Sequence, residues 1–325
     1  MTTTAAHSLA ALRRFPLVLG GNVFGWTADE PSTLAVLDAF ADAGGVMVDT
    51  ADGYSAWVPG HTGGESETLI GRWLARRGRR DDVVVATKVS THPDFSGLAP
   101  ATVRAAAEAS LRRLGTDRID LYYAHFDDAG VPLAETAGAF SALVDDGLVK
   151  DVGLSNYTPE RIDEWMAVAE RDGLHRPVAL QPHYNLLERE FEGALRDRAE
   201  RYGLGVLPYF GLARGFLAGK YRDGGPAVDS PRAGSAAAYL DDRGRRVLAA
   251  LDDVAAAHRT SVAAVALAWL RMQPTVVAPI ASARTVDQLA DLLASATLEL
   301  TAAEVDALAQ ASVRADGDAG AAHSG

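Results

Sequence analysis

The 325-residue chain contains no cysteine. That excludes disulfides, thiolate nucleophiles and cysteine-ligated zinc or iron–sulfur centres, suits a reducing compartment, and leaves any redox chemistry to a bound cofactor. Long apolar runs are missing as well. No stretch approaches the roughly 18 uncharged apolar residues that a membrane helix needs, and the opening MTTTAAHSLAALRRF has no apolar core behind a basic segment. A cytoplasmic protein without membrane contact is expected. Basic clusters are lacking too: 31 Lys and Arg stand against 43 Asp and Glu, a net charge of −12. This argues against nucleic acid or anionic lipid as partners of the general surface, while a local basic pocket remains open. No metal site is expected.

What the chain does have is apolar content, 48% of it, enough to bury a large core in one large domain or two ordinary ones. Short runs rich in Val, Leu and Ile recur at 17–21, 46–51, 83–88, 119–125, 151–156, 178–185, 205–210 and 276–281. They mostly do not alternate, as befits parallel strands buried on both faces. Helical patterns lie between them. In PATVRAAAEASLRRLGTD, Val103, Ala107, Leu111 and Leu114 share a face and Gly115 marks a stop. YTPERIDEWMAVAERDG starts with Thr158 as N-cap and Pro159 in the first turn, and ends before Gly173. Further helices are expected near 31–43, 66–78, 133–146, 187–203, 244–272 in two pieces, and 286–295. Eight strand–helix units in one chain of this length predict a single-domain α/β fold, the (β/α)₈ TIM barrel. The competitor is an open doubly wound sheet, which announces its nucleotide site by a glycine fingerprint on the first turn; GGNVFG and GLGVLPY both lack that spacing. The expected organisation is an N-terminal segment 1–15, a barrel over 16–312 closed by a helix that Thr301 and Glu304 cap, and a flexible tail 313–325.

Barrel active sites form at the C-terminal ends of the strands. Read in order, the second strand ends in Asp49 with Tyr54 in its loop, the third in Lys88, the fourth in His125. Each alone has a plain structural reading: a cap, a loop aromatic, a solvated strand end, a hydrogen-bonded imidazole. Together, at adjacent strand ends, they assemble a proton donor for a carbonyl oxygen. A phenol with a reference pKa of about 10 is a reluctant acid, and a neighbouring ammonium favours its phenolate. Asp49 lets Lys88 stay charged in a poorly solvated mouth, and His125 can orient the carbonyl or help relay the proton. Electrons must come from elsewhere.

The combination VDTADGYS…GGESETLIG, ATK, YYAH, VGLSN, LQPHYN and GLARGFLAGKY resembles the aldo-keto reductase superfamily over roughly residues 16 to 312. The resemblance implies that Tyr54 is the general acid/base, that Lys88 and Asp49 tune it, and that His125 orients the substrate. It implies a nicotinamide cofactor, for which the expectation below is NADP(H), lying across the barrel mouth without a Rossmann domain, with Ser155, Asn156 and Gln181 holding the carboxamide and Tyr209 stacking on the nicotinamide. Gly211, Leu212, Arg214 and Lys220 belong to the segment that resembles the loop crossing the pyrophosphate, where glycines permit close backbone approach. Past the eighth strand, Ser282 and the T-x-x-Q capping box of Thr285 and Gln288 place Arg284 at a helix start, a natural site for the 2′-phosphate that favours NADPH over NADH. Three positions depart from the family pattern: Phe210 and Gly211 replace a serine–proline pair, Ser282 stands where glycine is frequent, and Leu292 where asparagine often reads the adenine. Phe24 and Trp26, Trp57 and Val58, and Phe126 and Phe210 are the candidates for an aromatic substrate pocket that takes a small-molecule aldehyde or ketone.

The expected function is thus NADPH-dependent reduction of an aldehyde or ketone to an alcohol. Two other classes stay open: an NADP-binding regulatory subunit with little turnover, which would bind nucleotide tightly without steady-state activity and keep a protein partner, and a barrel lyase using Lys88 as a Schiff base, which leaves Tyr54 and His125 without roles. Oligomeric state is not legible.

Overall fold

The computed structural model describes residues 7–225 and 230–313. Eight parallel strands form one curled sheet: β1 Val18–Gly20, β2 Met47–Asp49, β3 Val84–Val89, β4 Ile119–Ala124, β5 Val149–Ser155, β6 Ala179–Gln181, β7 Gly205–Val206 and β8 Ile280–Ala281. β8 pairs with β1. The seam between β7 and β8 is closed by Val206, whose N–H donates to Thr275 O at 2.9 Å and whose carbonyl accepts from Val277 N at 2.9 Å. The fold is a (β/α)₈ barrel. All residues of β4 are buried, and all but the first of β3, which is why these strands read as continuous apolar runs.

Helices α1 Glu30–Asp42, α2 Glu65–Arg77, α3 Pro100–Leu114, α4 Leu133–Asp145, α5 Pro159–Asp172 and α6 Ala194–Tyr202 each follow a strand. α7 Asp242–His258 and α8 Val262–Arg271 share the seventh crossover, and α9 Val286–Leu293 and α10 Ala302–Ala311 end the described chain. Their starts follow local chemistry. Asp29 caps α1 by accepting from Ser32 N, Thr158 caps α5 by accepting from Arg161 N, and Thr301 with Glu304 makes a complete capping box on α10. Two hydrophobic layers result. One fills the barrel interior with Val18, Met47, Ala86, Leu121, Tyr123 and Ala179 among others; the larger one lies between sheet and helices.

Several expected strands shrink, and proline explains why. The expected strand 178–185 stops at Gln181, before Pro182. The 205–210 and 276–281 runs keep only two ladder residues each, because Pro208 and Pro279 have no N–H to donate; their carbonyls still accept, from Ile280 N at 2.9 Å and Val18 N at 3.0 Å. The helix expected from 187 begins only at Ala194, after a tight turn at Glu190–Glu192. A small hairpin pairing Thr91–His92 with Phe95–Ser96, and a short helix Ala233–Ala237, were not expected.

The N-terminal segment has a structure of its own. Its turn Ala11–Arg13 puts Leu12 into the bottom of the barrel, fully buried, and Ser8 is tied to Asp151 by its hydroxyl at 2.6 Å and its N–H at 2.9 Å. Apart from Val313, the expected tail 313–325 lies outside the described residues.

Candidate active site

Strand register assembles the site. Gly20 pairs with Asp49, Asp49 with Ala86, and Lys88 with Tyr123, so the ends of β2, β3 and β4 stand side by side at one rim. The loop after β2 carries Tyr54, and His125 follows the last residue of β4. Lys88 Nζ donates to Asp49 Oδ2 at 2.6 Å, to the Thr50 carbonyl at 2.6 Å and to Tyr54 Oη at 3.2 Å. The ammonium also lies 4.9 Å from the centre of the Tyr54 ring and 5.9 Å from that of Tyr123. His125 meets Tyr54 edge to face, with ring centres 6.2 Å apart. The four strand-end residues are therefore one cluster.

Lys88 and Asp49 are both buried, so the pair exists only because each compensates the other. Burial pulls the Lys88 pKa down, but Asp49 and Tyr54 more than restore it, and the ammonium is held above its ordinary range. The Tyr54 phenol differs from the sequence expectation. Lys88 does pull its pKa down, yet burial outweighs that pull, Asp49 adds to it, and the hydroxyl titrates above the usual 10. Tyr54 is a protonated acid at neutral pH. Burial, with Lys88 nearby, pushes His125 well below 6.5, and its Nδ1 is buried without a partner. A neutral imidazole orients a carbonyl rather than delivering a proton to it.

Around this cluster opens a cavity of about 1730 Å³, larger than the roughly 300–1,000 Å³ of a site for one drug-sized ligand. Asn156, Gln181, Tyr209, Gly211, Leu212, Arg214, Lys220, Ser282, Arg284 and Gln288 are all on its wall, as are Trp26, Trp57, Phe126 and Phe210. Ser155 sits just beneath, its hydroxyl donating to the Gln181 carbonyl at 3.0 Å. Tyr209 Oη donates to Asn156 Oδ1 at 2.7 Å, and His183 stacks on the Tyr209 ring at 5.3 Å. Asn156, Phe210 and Arg214 hold left-handed φ of 56°, 53° and 58°. Such conformations cost an L-residue about 1–3 kcal/mol and collect at ligand-binding loops.

Two pocket candidates are not on the wall. Phe24 is fully buried in the core, its carbonyl accepting from Ser55 Oγ, and Val58 turns aside while Trp57 takes the mouth with half its surface exposed. Trp26 and Trp57 meet at 5.5 Å, edge to face, and Phe126 stacks at a tilt on His125 at 4.8 Å, so an aromatic wall does face the acid. The capping box at α9 is also altered. Thr285 Oγ1 accepts from Gln288 N at 3.3 Å, but the Gln288 side chain accepts from Arg284 N at 3.0 Å, one residue earlier than expected, and so fixes the Arg284 backbone. Ser282 donates to Asn22 Oδ1 at 2.7 Å, and the buried Leu292 offers no polar group to the cavity.

Sequence reasoning missed Arg232. It reaches across from the loop after β7 to lie 5.1 Å over the Trp26 ring and 6.0 Å from that of Phe210. Burial, together with Arg214 and Arg284, lowers its pKa. Among the described residues none of Arg214, Lys220, Arg232 and Arg284 makes a close ion pair with a carboxylate, although Arg232 shares the cavity wall with Glu188, Glu190, Asp241 and Asp291. Its only signal was a lone arginine in the segment that crosses the mouth.

The family model "Aldo/keto reductase family" matches residues 16–313. The chain belongs to the aldo/keto reductase family. It is 35% identical over 298 residues to the "Uncharacterized oxidoreductase YrpG" of Bacillus subtilis, covering 89% of each chain. It is 31% identical to "Protein tas" of Escherichia coli, covering 90% of this chain and 94% of that one. It is also 31% identical to "Norsolorinic acid reductase B" of Aspergillus parasiticus, covering 93% of this chain and 82% of that one. This aldo/keto reductase is an NAD(P)H-dependent oxidoreductase of the carbonyl-reducing type. No helix among the described residues is long and apolar enough to cross a membrane.

Proposed function

We propose that the protein reduces an aldehyde or ketone to an alcohol with NADPH, Tyr54 giving the proton to the carbonyl oxygen. The observation that carries this is Lys88 Nζ bound at once to Asp49 and to the Tyr54 hydroxyl, directly beneath a cavity of about 1730 Å³ that Asp49 and Tyr54 line. The cofactor fits the residues present: acceptor oxygens of Asn156 and Gln181 suit a carboxamide, the Tyr209 ring suits a nicotinamide face, and Arg214, Lys220 and Arg232 give positive charge along the cleft. When bound it supplies the hydride. Tyr54 holds a proton because it is buried, and Lys88 stabilises the phenolate left when that proton is passed on. His125, neutral, orients the carbonyl oxygen toward Tyr54. Trp26, Trp57 and Phe126 exclude water and pack against apolar faces of the substrate, and the exposed edges of Trp57 and Phe126 suit a substrate larger than the pocket floor.

NADPH over NADH rests on Arg284, whose backbone is pinned by Gln288 at the start of α9. The relative named "Norsolorinic acid reductase B" makes norsolorinic acid one compound worth including in the test. The experiment is a turnover panel of grouped aldehydes, ketones and sugars with NADPH. Steady reduction of at least one group, faster with NADPH than NADH, is expected; tight NADPH binding with no turnover on any group would favour the regulatory reading.

A further inference from the structure

Asp49 has two carboxylate oxygens and both are taken. Oδ2 accepts from Lys88, and Oδ1 accepts from the side-chain amide of Gln181, Nε2 to Oδ1 being 2.9 Å across a sequence separation of 132 residues. Gln181 and Asp49 are each 2% exposed. A carboxylate can only accept, so the amide must turn its nitrogen to Asp49, and Gln181 Oε1 is left as an acceptor on the cavity wall. Asn156 is fixed in the same sense. Its two N–H groups go to the His125 carbonyl at 2.9 Å and to Ser155 Oγ at 3.0 Å, leaving Oδ1 to accept. Ser155 donates in turn to the Gln181 carbonyl. The residues placed for the carboxamide and the residues placed for proton transfer are thus one hydrogen-bonded chain, with Gln181 at the joint.

We propose that Gln181 is a positioning residue for the proton donor: by holding Asp49 it couples occupancy of the carboxamide pocket to the Asp49–Lys88–Tyr54 chain. This rests on the reading of Tyr54 as the proton donor. A carboxamide N–H accepted by Gln181 Oε1 polarises the amide and strengthens its N–H bond to Asp49. Asp49 then spends more of its charge on Gln181 and less on Lys88. The ammonium is less compensated, its pull on the Tyr54 phenolate grows, and the acid strengthens when the pocket is filled. An amide that only gripped the cofactor would have no such effect on proton transfer.

Two substitutions test it. Gln181→Met removes the donor at similar length; Gln181→Glu can donate to Asp49 only while its carboxyl is protonated. At saturating NADPH, Gln181→Met is expected to lower kcat about tenfold and to move the alkaline limb of the pH profile upward, since a tenfold change corresponds to about one pH unit of proton affinity. Gln181→Glu is expected to recover kcat toward acid pH. A readout without cofactor accompanies these: the melting temperature of the Gln181→Glu protein falls relative to that of Gln181→Met as pH rises from about 4, because a carboxyl held protonated against Asp49 in the folded state is released in the unfolded chain. The proposal is overturned if both variants keep the parental kcat and pH profile while only the NADPH dissociation constant, read by fluorescence, increases, or if the two melting curves follow pH in parallel. Failure of the underlying reading has a separate sign, namely full turnover by Tyr54→Phe.

Discussion

At the scale of single residues, the chemistry is carried by charges gathered at and beneath the barrel mouth. Arg284, half-buried on the cavity wall, is the one outside the proton-transfer cluster that bears on cofactor choice. If it meets the 2′-phosphate, Arg284→Ala weakens NADPH about ten- to a hundredfold, the size of a charge-assisted contact, and leaves NADH nearly unchanged. Fluorescence titration with both nucleotides checks this, and equal losses would move the NADPH preference elsewhere. Asp52 is a second case, and no sequence signal marked it. It is fully buried three residues after Asp49, neither carboxylate oxygen has a partner, and burial, with Glu67 adding its charge and Arg113 and Lys88 opposing, raises its pKa from 3.8 to about 8. The folded state therefore holds a proton that the unfolded chain releases near 4, and stability declines as pH rises from about 4 to about 8. Asp52→Asn removes that decline. Its melting temperature is expected to gain steadily on the parent's across this window, by an amount on the order of a few kcal/mol of stability at the upper end; a parent–variant difference independent of pH would contradict it. The clustering of Asp49, Tyr54, Lys88 and His125 was legible because three of them fall where apolar runs end and Tyr54 lies in the loop just after one. The direction of the Tyr54 shift was not, because it depends on how much water the folded mouth excludes.

At the scale of elements, strands β3 and β4 were legible as long buried runs, and helices such as α5 and α10 by their caps. Strands β7 and β8 were legible in place but not in extent, since prolines in both trim the ladder. What no run of residues shows is the packing between strands. Gly153 on β5 faces Tyr123 on β4, and a Cβ there would fall 2.4 Å from the Tyr123 ring, the ring that lies under Lys88. Gly153→Ala must displace Tyr123 toward the ammonium. A loss of about 1–3 kcal/mol in stability is expected from overpacking, accompanied by reduced turnover. Thermal unfolding and steady-state rates measured on the same preparation check the pair of effects; a stable variant with parental turnover would mean the ring has room elsewhere.

At the scale of the whole molecule, the alternation of eight strands with helices specified the barrel, and the barrel specified where to look. Its lower end was not foreseen: the segment expected only to precede the barrel closes it through Leu12. Nor was the arrival of Arg232 beside the expected Arg214 and Arg284, because a lone arginine in a long loop shows no pattern until the loops after β7 and β8 converge. The central claim, that this mouth transfers a proton from Tyr54 to a carbonyl oxygen, is tested most directly by Tyr54→Phe. The phenyl ring keeps its packing on Lys88 and Trp57 and loses only the hydroxyl. On a carbonyl compound that the parent reduces, with saturating NADPH bound equally well by both proteins, kcat is expected to fall about 10²- to 10⁴-fold, the contribution of a positioned general acid; a Tyr54→Phe protein that turns over at the parental rate would contradict the account.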